Sequence, residues 1–220
     1  MNKTELQIPG IDRFFTQEAY KVLRTNIQFC GQDIKVIAVT SAHENEGKST
    51  LTISLAKSFS ELGKRVLVID ADMRKSVLAA RNTSANVTKG LSEVLTGMES
   101  IGDVLYETQY KDFYLLFAGQ YPPNPAELLG GKHFESLVTA VRQNFDYILI
   151  DTPPLGEVID SALISSKCDG TIIVSSGKTS VRKLEPVIDQ LKRGNCNILG
   201  LVMNNAVQSK SKSKYYGYRQ

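Results

Sequence analysis

The chain has 220 residues, 42% apolar and 22% charged, with a formal net charge of +3. That length suits one α/β domain with a substantial core. No apolar run is long enough to span a bilayer, and the start Met1-Asn2-Lys3-Thr4-Glu5 lacks a signal peptide's apolar region. Cys30, Cys168 and Cys196 are odd in number and widely spaced, which argues for reduced thiols in the cytoplasm. It argues against a disulfide framework or a cysteine-ligated metal. The charge is uneven: no Asp or Glu follows Asp189, whereas Lys192, Arg193, Lys210, Lys212, Lys214 and Arg219 do. This is a local basic element, not the footprint of a nucleic-acid-binding fold, so no nucleic-acid partner is expected.

Residues 1–15 have no clear period and read as an extended arm. Thr16 suits the N-cap of a helix over 16–29. Ala19, Val22, Leu23 and Ile27 recur at helical spacing and predict its buried face, with Lys21, Arg24 and Gln28 opposite. Such a helix can simply cover a sheet, or it can use Glu18 and Arg24 against a neighbouring subunit. An apolar strand over 34–41 then enters Ala42-His43-Glu44-Asn45-Glu46-Gly47-Lys48-Ser49-Thr50, and a helical pattern follows from Lys48 to Leu62. This is the Walker A arrangement. Backbone N–H groups of Glu46, Gly47, Lys48, Ser49 and Thr50 can face a polyphosphate at the helix N-terminus. Lys48 supplies a point charge, and the Ser49 hydroxyl can ligate Mg²⁺. ATP and Mg²⁺ are therefore the expected cofactors. Ala42 stands where the full pattern has glycine, so the loop must turn differently, with help from Asn45 and Gly47.

The run 65–69 reads as a buried parallel strand and ends in Asp70-Ala71-Asp72-Met73-Arg74. Alternation puts Asp70 and Asp72 on one side, beyond a strand's carboxyl end, where ligands of open α/β sheets bind. Two carboxylates there repel unless a cation or protons intervene. A solvated strand end is the plainer reading; the adjacent phosphate loop favours Mg²⁺. Residues 75–112 read as a polar excursion with short helical pieces near 90–96 and 101–106, followed by a strand over 113–118. Tyr121-Pro122-Pro123-Asn124-Pro125 interrupts regular structure, and helices follow from Pro125 and over 132–144. Tyr147-Ile148-Leu149-Ile150-Asp151 has the Walker B form, whose aspartate acts on Mg²⁺ directly or through water. Helices over 157–167 and 181–193 and strands over 171–175 and 198–203 complete the alternation. The expected fold is α/β and P-loop NTPase-like: a mostly parallel β-sheet with helices on both faces. Asn204, at the last strand's end, can read adenine through its amide or simply close a turn.

From Val207 the chain is polar and of low complexity, and reads as a flexible tail. Three of the nine tyrosines, Tyr215, Tyr216 and Tyr218, fall in its last six residues. A tail has no core in which to bury them, so they read as exposed phosphoacceptors or as a partner-binding patch. The division is thus an arm over 1–15, a P-loop domain over 16–206 and a tail over 207–220.

Assembled, these residues resemble the bacterial tyrosine kinase family, in the cytoplasmic, split form associated with capsular and exopolysaccharide synthesis. The resemblance spans nearly all of the chain. It rests on the Walker A loop at 42–49, the second acidic motif at 66–74, the Walker B strand at 147–151 and the tyrosine-rich tail. Glu18-Ala19-Tyr20-Lys21-Val22-Leu23-Arg24-Thr25-Asn26 resembles the family's oligomerisation helix, which favours a subunit contact for Glu18, Arg24 and Asn26. The resemblance implies a tyrosine autokinase that moves the γ-phosphoryl of MgATP onto Tyr215, Tyr216 and Tyr218, between subunits of a homo-oligomeric ring. It implies that Lys48, Asp70 and Asp72 are catalytic, with Asp70 the base for the incoming phenol, and that Ser49, Asp72 and Asp151 hold Mg²⁺. It further implies a separate transmembrane activator that recruits the cytoplasmic chain to the inner face of the cell membrane. Protein tyrosine substrates and a cognate phosphatase are the other implied partners. The competing class is a positioning or partitioning P-loop ATPase switch. Such proteins usually carry lysine where this chain has His43.

Overall fold

Two short runs, Val66–Asp70 and Tyr147–Asp151, form paired strands in the middle of the sheet, and all but Tyr147 are fully buried. The computed structural model describes residues 2–8, 14–177 and 179–205. In chain order the strands are β1 (Asn2–Thr4), β2 (Val36–Ser41), β3 (Val66–Asp70), β4 (Leu105–Thr108), β5 (Phe113–Leu116), β6 (Tyr147–Asp151), β7 (Gly170–Ser176) and β8 (Ile198–Asn204). The helices are α1 (Phe14–Phe29), α2 (Lys48–Ser60), α3 (Leu78–Asn82), α4 (Leu91–Leu95), α5 (Ile101–Val104), α6 (Pro125–Gly130), α7 (Lys132–Arg142), α8 (Asp160–Ser165) and α9 (Val181–Arg193). The sheet order is β1-β4-β5-β3-β6-β2-β7-β8. Every neighbouring pair is parallel except β4 with β5.

The alternation of each strand divides the core. Ile37, Val39, Val66, Val68 and Leu149 pack on the face covered by α1 and α2, with Ile53, Leu55 and Phe59 of α2. Val36, Ala38, Leu67, Ile69, Ile148 and Ile150 pack on the other face, with Phe134, Leu137 and Val141 of α7. Parallel strands buried on both sides need such continuous apolar runs. The same parity sends Asp70, two residues after Val68, and Asp151, two after Leu149, toward the α2 face. The mostly parallel P-loop fold expected from the sequence is therefore the one observed.

Three details differ from expectation. Part of the N-terminal arm is built into the domain: β1 pairs with β4, and Leu6 and Ile8 are buried. The helical piece expected over 101–106 breaks at Val104, and Leu105 begins β4 against β5. The face of α1 is also turned. Tyr20, Leu23 and Ile27 pack on the core, while Ala19 is exposed and Val22 is 59% exposed. Leu23 and Ile27 belong to both possible stripes; the tyrosine ring fills more of the space over α2 than the alanine can. Arg24, expected on the outer side, donates instead to the Ser58 carbonyl and hydroxyl oxygens of α2. Carbonyls in the last turn of a helix lack intrahelical partners and attract cations. The tail expected from residue 207 lies outside the described residues.

Candidate active site

The loop between β2 and α2 turns at Asn45 (φ 60°) and Gly47 (φ 91°), both left-handed. Ala42 is not left-handed, so an alanine is acceptable where the full motif has glycine. Gly47 is the demanding position. A Cβ there would lie 2.0 Å from Asn204 Nδ2. That amide nitrogen donates to the Glu46 carbonyl at 2.9 Å, and Asn204 Oδ1 accepts from Asn205 N at 2.9 Å. The end of β8 thus braces the loop from outside.

Glu46 braces it from inside. Its side chain is buried. Oε2 accepts from the backbone N–H groups of Ala42 (3.1 Å) and His43 (3.2 Å). Oε1 accepts from Ser176 N at 3.3 Å and from the Thr179 hydroxyl. A buried carboxylate is tolerable with such a set of donors. Glu46 therefore offers a ligand its backbone, not its carboxylate. Lys48 is largely buried and folds onto the loop, donating to Ser41 Oγ at 3.1 Å. Ser41 Oγ in turn donates to the His43 carbonyl at 2.6 Å. Ser49 and Thr50 open α2 directly after it.

Opposite the loop, Asp70 and Asp151 are register partners at the ends of β3 and β6, and both are almost fully buried. Burial raises the Asp151 carboxyl to about 7, against an ordinary value of 3.8; a hydrogen bond from Ser49 and the charge of Lys48 pull it back, and Asp72 pushes it up. Asp70 is raised well above its ordinary value, first by burial and next by the charge of Asp151. Asp70 Oδ2 accepts from the Ser76 hydroxyl, and Oδ1 accepts from Asp72 N at 3.2 Å. Asp151 Oδ1 is buried without a hydrogen-bond partner among the described residues. Such an orphan oxygen is costly unless something else binds it. With the Ser49 hydroxyl beside it, this donor set fits a hard divalent cation that prefers oxygen ligands.

Asp72 is half-buried and organises the next turn, accepting from Arg74 N (3.2 Å) and Lys75 N (3.0 Å). Arg74 leaves that turn to make a two-pronged bond with buried Asp160, at 2.7 and 3.0 Å. Lys75 pairs with Glu44 of the loop at 2.8 Å, so the acidic turn and the phosphate loop touch at their rims. Lys48, Ser49, Asp70, Asp72 and Asp151 are thus gathered at one end of the sheet. Glu18, Arg24 and Asn26 lie apart from them on α1, with Glu18 bonded to Lys21 at 2.7 Å. Tyr215, Tyr216 and Tyr218 lie outside the described residues. Motif reading missed Ser41, Ser76 and Asp160: each acts through one side-chain contact at a sequence distance that no motif specifies.

Together the parallel sheet, the strand–loop–helix with Lys48 at its turn and the paired strand-end acids define a P-loop nucleotide-binding protein. The AAA domain family model matches residues 34–197. The chain is 38% identical over 203 residues to Tyrosine-protein kinase CpsD of Streptococcus agalactiae, covering 92% of this chain and 89% of that protein. It is 31% identical to Tyrosine-protein kinase wzc of Salmonella typhi, covering 91% of this chain but 28% of that one. The solved kinase domain of Escherichia coli tyrosine kinase ETK superposes with a TM-score of 0.83 at 27% identity, covering 92% of this chain and 80% of that one. The chain belongs to the bacterial tyrosine kinase family, and relatives named as tyrosine-protein kinases favour the kinase class over the positioning-ATPase class.

Proposed function

We propose that the chain is a tyrosine autokinase that transfers the γ-phosphoryl of MgATP to Tyr215, Tyr216 and Tyr218 and thereby regulates capsular or exopolysaccharide synthesis. The observation that carries this reading is the register pairing of Asp70 and Asp151, with the orphan Asp151 Oδ1 close enough to the loop to feel Lys48. The backbone N–H groups over residues 46–50 hold the phosphates. Lys48 leaves Ser41 to meet the β- and γ-oxygens, where charge spreads during transfer. Ser49, Asp72 and Asp151 would hold Mg²⁺, which supplies charge neutralisation across those oxygens. Asp70 takes the proton of the attacking phenol. The new O–P bond forms as the bond from γ-phosphorus to the bridging oxygen breaks, and ADP leaves. A raised carboxyl suits that role better than an ordinary one, because a phenol with pKa about 10 gives up its proton reluctantly. Asn204 keeps one amide hydrogen and one carbonyl lone pair for adenine after bracing the loop.

Transfer runs between subunits of a homo-oligomer, with α1 at the contact. The exposed stripe Ala19, Val22, Asn26 and Phe29 supports this placement better than Arg24, which is engaged by α2. The near end-to-end match with CpsD, beside a match to 28% of wzc, supports a short-form kinase served by a separate transmembrane activator at the inner membrane face. Protein tyrosine substrates and a cognate phosphatase complete the cycle.

The test is direct. Purified protein incubated with MgATP is mapped for phosphosites by mass spectrometry. Phosphate on Tyr215, Tyr216 and Tyr218, lost in Lys48→Met and Asp70→Ala, is the expected result. Normal tail labelling by either variant overturns the assignment. Labelling of an intact-tail Lys48→Met chain by an active tail-less chain establishes transfer between subunits; its absence argues for transfer within one.

A further inference from the structure

A second concavity lies beyond the carboxyl end of β5, with Ser76 between it and Asp70. It has a volume of about 390 Å³ and is lined by Ser76, Ala79, Ala80, Val87, Phe117 and Tyr121, among others. One of these, Ser76, touches Asp70, and Tyr121 is tied to Ser76. The Ser76 hydroxyl bonds Asp70, and the Tyr121 hydroxyl donates to the Ser76 carbonyl at 3.1 Å. The phenol of Tyr121 is raised by burial and then by the charges of Asp70 and Asp72.

The far wall is preformed. After β5 the chain turns at Gly119 (φ 80°), where a Cβ would meet Glu93 Oε2 at 2.2 Å. Glu93 accepts from Gly90 N at 2.6 Å and from Gln120 N at 3.3 Å, clamping this turn to α4. Leu91 N and Ser92 N add bonds of 2.7 and 3.0 Å to the carbonyls of Phe117 and Ala118. A clamped wall costs a ligand little ordering entropy.

We propose that this pocket is the acceptor subsite: it seats the ring of the tyrosine to be phosphorylated, with its hydroxyl turned toward Asp70. The inference rests on the kinase reading above and names the substrate side of that site. Small apolar side chains and Phe117 leave a slot for one aromatic ring. The volume, near the lower end of ligand pockets at roughly 300–1,000 Å³, is ample for one phenol ring. Half-buried Asp72 makes this end of the sheet acidic. The sequence around Tyr215, Tyr216 and Tyr218 supplies Lys210, Lys212, Lys214 and Arg219 with no acidic residue, so the charges are complementary. The Tyr121 ring at the mouth offers a face for stacking.

The experiment uses the full chain with its three tail tyrosines changed to phenylalanine, so that it cannot label its own tail, and a synthetic peptide spanning residues 212–220 as acceptor. Ala80→Leu fills the slot from an exposed helix position; Tyr121→Ala removes the ring at the mouth. Peptide KM is expected to rise at least tenfold in the first and severalfold in the second. Nucleotide affinity and acceptor-free ATP hydrolysis should stay within twofold of the parent. Unchanged peptide KM in both variants, with the parent active, overturns the pocket assignment while leaving the kinase reading intact. A parent that labels no peptide sinks the kinase reading itself. A rise in nucleotide KM alone assigns the pocket to the nucleotide and also overturns the proposal. If Ala80→Leu melts prematurely, Tyr121→Ala decides.

Discussion

Asp70 and Asp151 occupy paired register positions on neighbouring parallel strands, with both carboxylates buried on the face that carries the phosphate loop. That closeness has a consequence for stability. Both acids have folded-state pKa values above their unfolded ones, Asp151 at about 7 against 3.8. Across that window the folded state binds more protons than the unfolded state, so stability falls as pH rises. The nucleotide-free protein should therefore melt at progressively lower temperature from about pH 4 to about pH 7. Asp151→Asn should remove that acid's own contribution and the part of the Asp70 shift caused by its charge, leaving a shallower slope from the burial of Asp70. Mg²⁺ with nucleotide should restore stability most at the alkaline end, where both carboxylates are charged. Thermal melts across pH check this. A melting temperature that climbs through the same window would contradict the account.

Gly47 and Asn204 are joined by a steric argument. Gly47→Ala must hold alanine at φ 91° and push the Asn204 amide away from a Cβ only 2.0 Å distant. The left-handed backbone alone costs about 1–2 kcal/mol. Nucleotide affinity should fall at least about tenfold, equivalent to 1.4 kcal/mol. Adding Asn204→Ala removes the clash but not the backbone strain. The double variant should therefore lose less than the sum of the two single losses. Titration with a fluorescent nucleotide measures the cycle; strict additivity would show that the two residues act independently.

The parts of this arrangement that were legible share a simple physical cause. β3 and β6 are buried on both faces, so they read as unbroken apolar runs, and period-two alternation carries directly to Asp70 and Asp151. The loop was legible because a chain that must present N–H groups needs residues such as Asn45 and Gly47 at its turns. The rest depended on contacts between distant segments. β4 has four residues and follows α5 with no turn residue between them, so no local signal separates the two. Two stripes on α1 share Leu23 and Ile27, and only packing against α2 chooses between them. Glu46 and Arg24 are charged, and pattern reading places charged groups outside. Their actual partners, the backbone of the loop and the last turn of α2, become neighbours only once the chain has folded.

Arg74 and Asp160 make a two-pronged ion pair in which the acid is 1% and the arginine 39% exposed. Arg74→Ala leaves a buried carboxylate without its cation. Full burial of both partners would cost roughly 3–5 kcal/mol on such a deletion; solvent reaches this guanidinium, so a loss of about 2 kcal/mol is expected. Arg74→Lys should recover less than half, because an ammonium cannot reproduce the planar fork. Denaturant melts give the stabilities. Since Arg74 anchors the turn shaped by Asp72, phosphoryl transfer should fall further than stability alone explains in both variants. Full activity in Arg74→Lys would show that the turn does not need this anchor.

Arg24 and Val22 lie two residues apart on α1 but face different neighbours. Arg24 reaches the last turn of α2, whereas Val22 is 59% exposed and Phe29 is 82% exposed. Removing the Arg24 guanidinium should cost stability within one chain, about 1–2 kcal/mol, by freeing the Ser58 carbonyl. Val22 is mostly exposed, so a charge there should cost less than about 0.5 kcal/mol. If the exposed stripe is the subunit contact, the oligomer responds in the opposite order. Val22→Glu should lower the mass seen by light scattering while the melting temperature stays put. Arg24→Ala should lower the melting temperature first and the mass only as the fold loosens. Labelling between subunits should follow the mass, not the melting temperature, since transfer from one copy to another needs the contact. A Val22→Glu protein that keeps both its mass and its transfer between copies would remove α1's outer face from the interface.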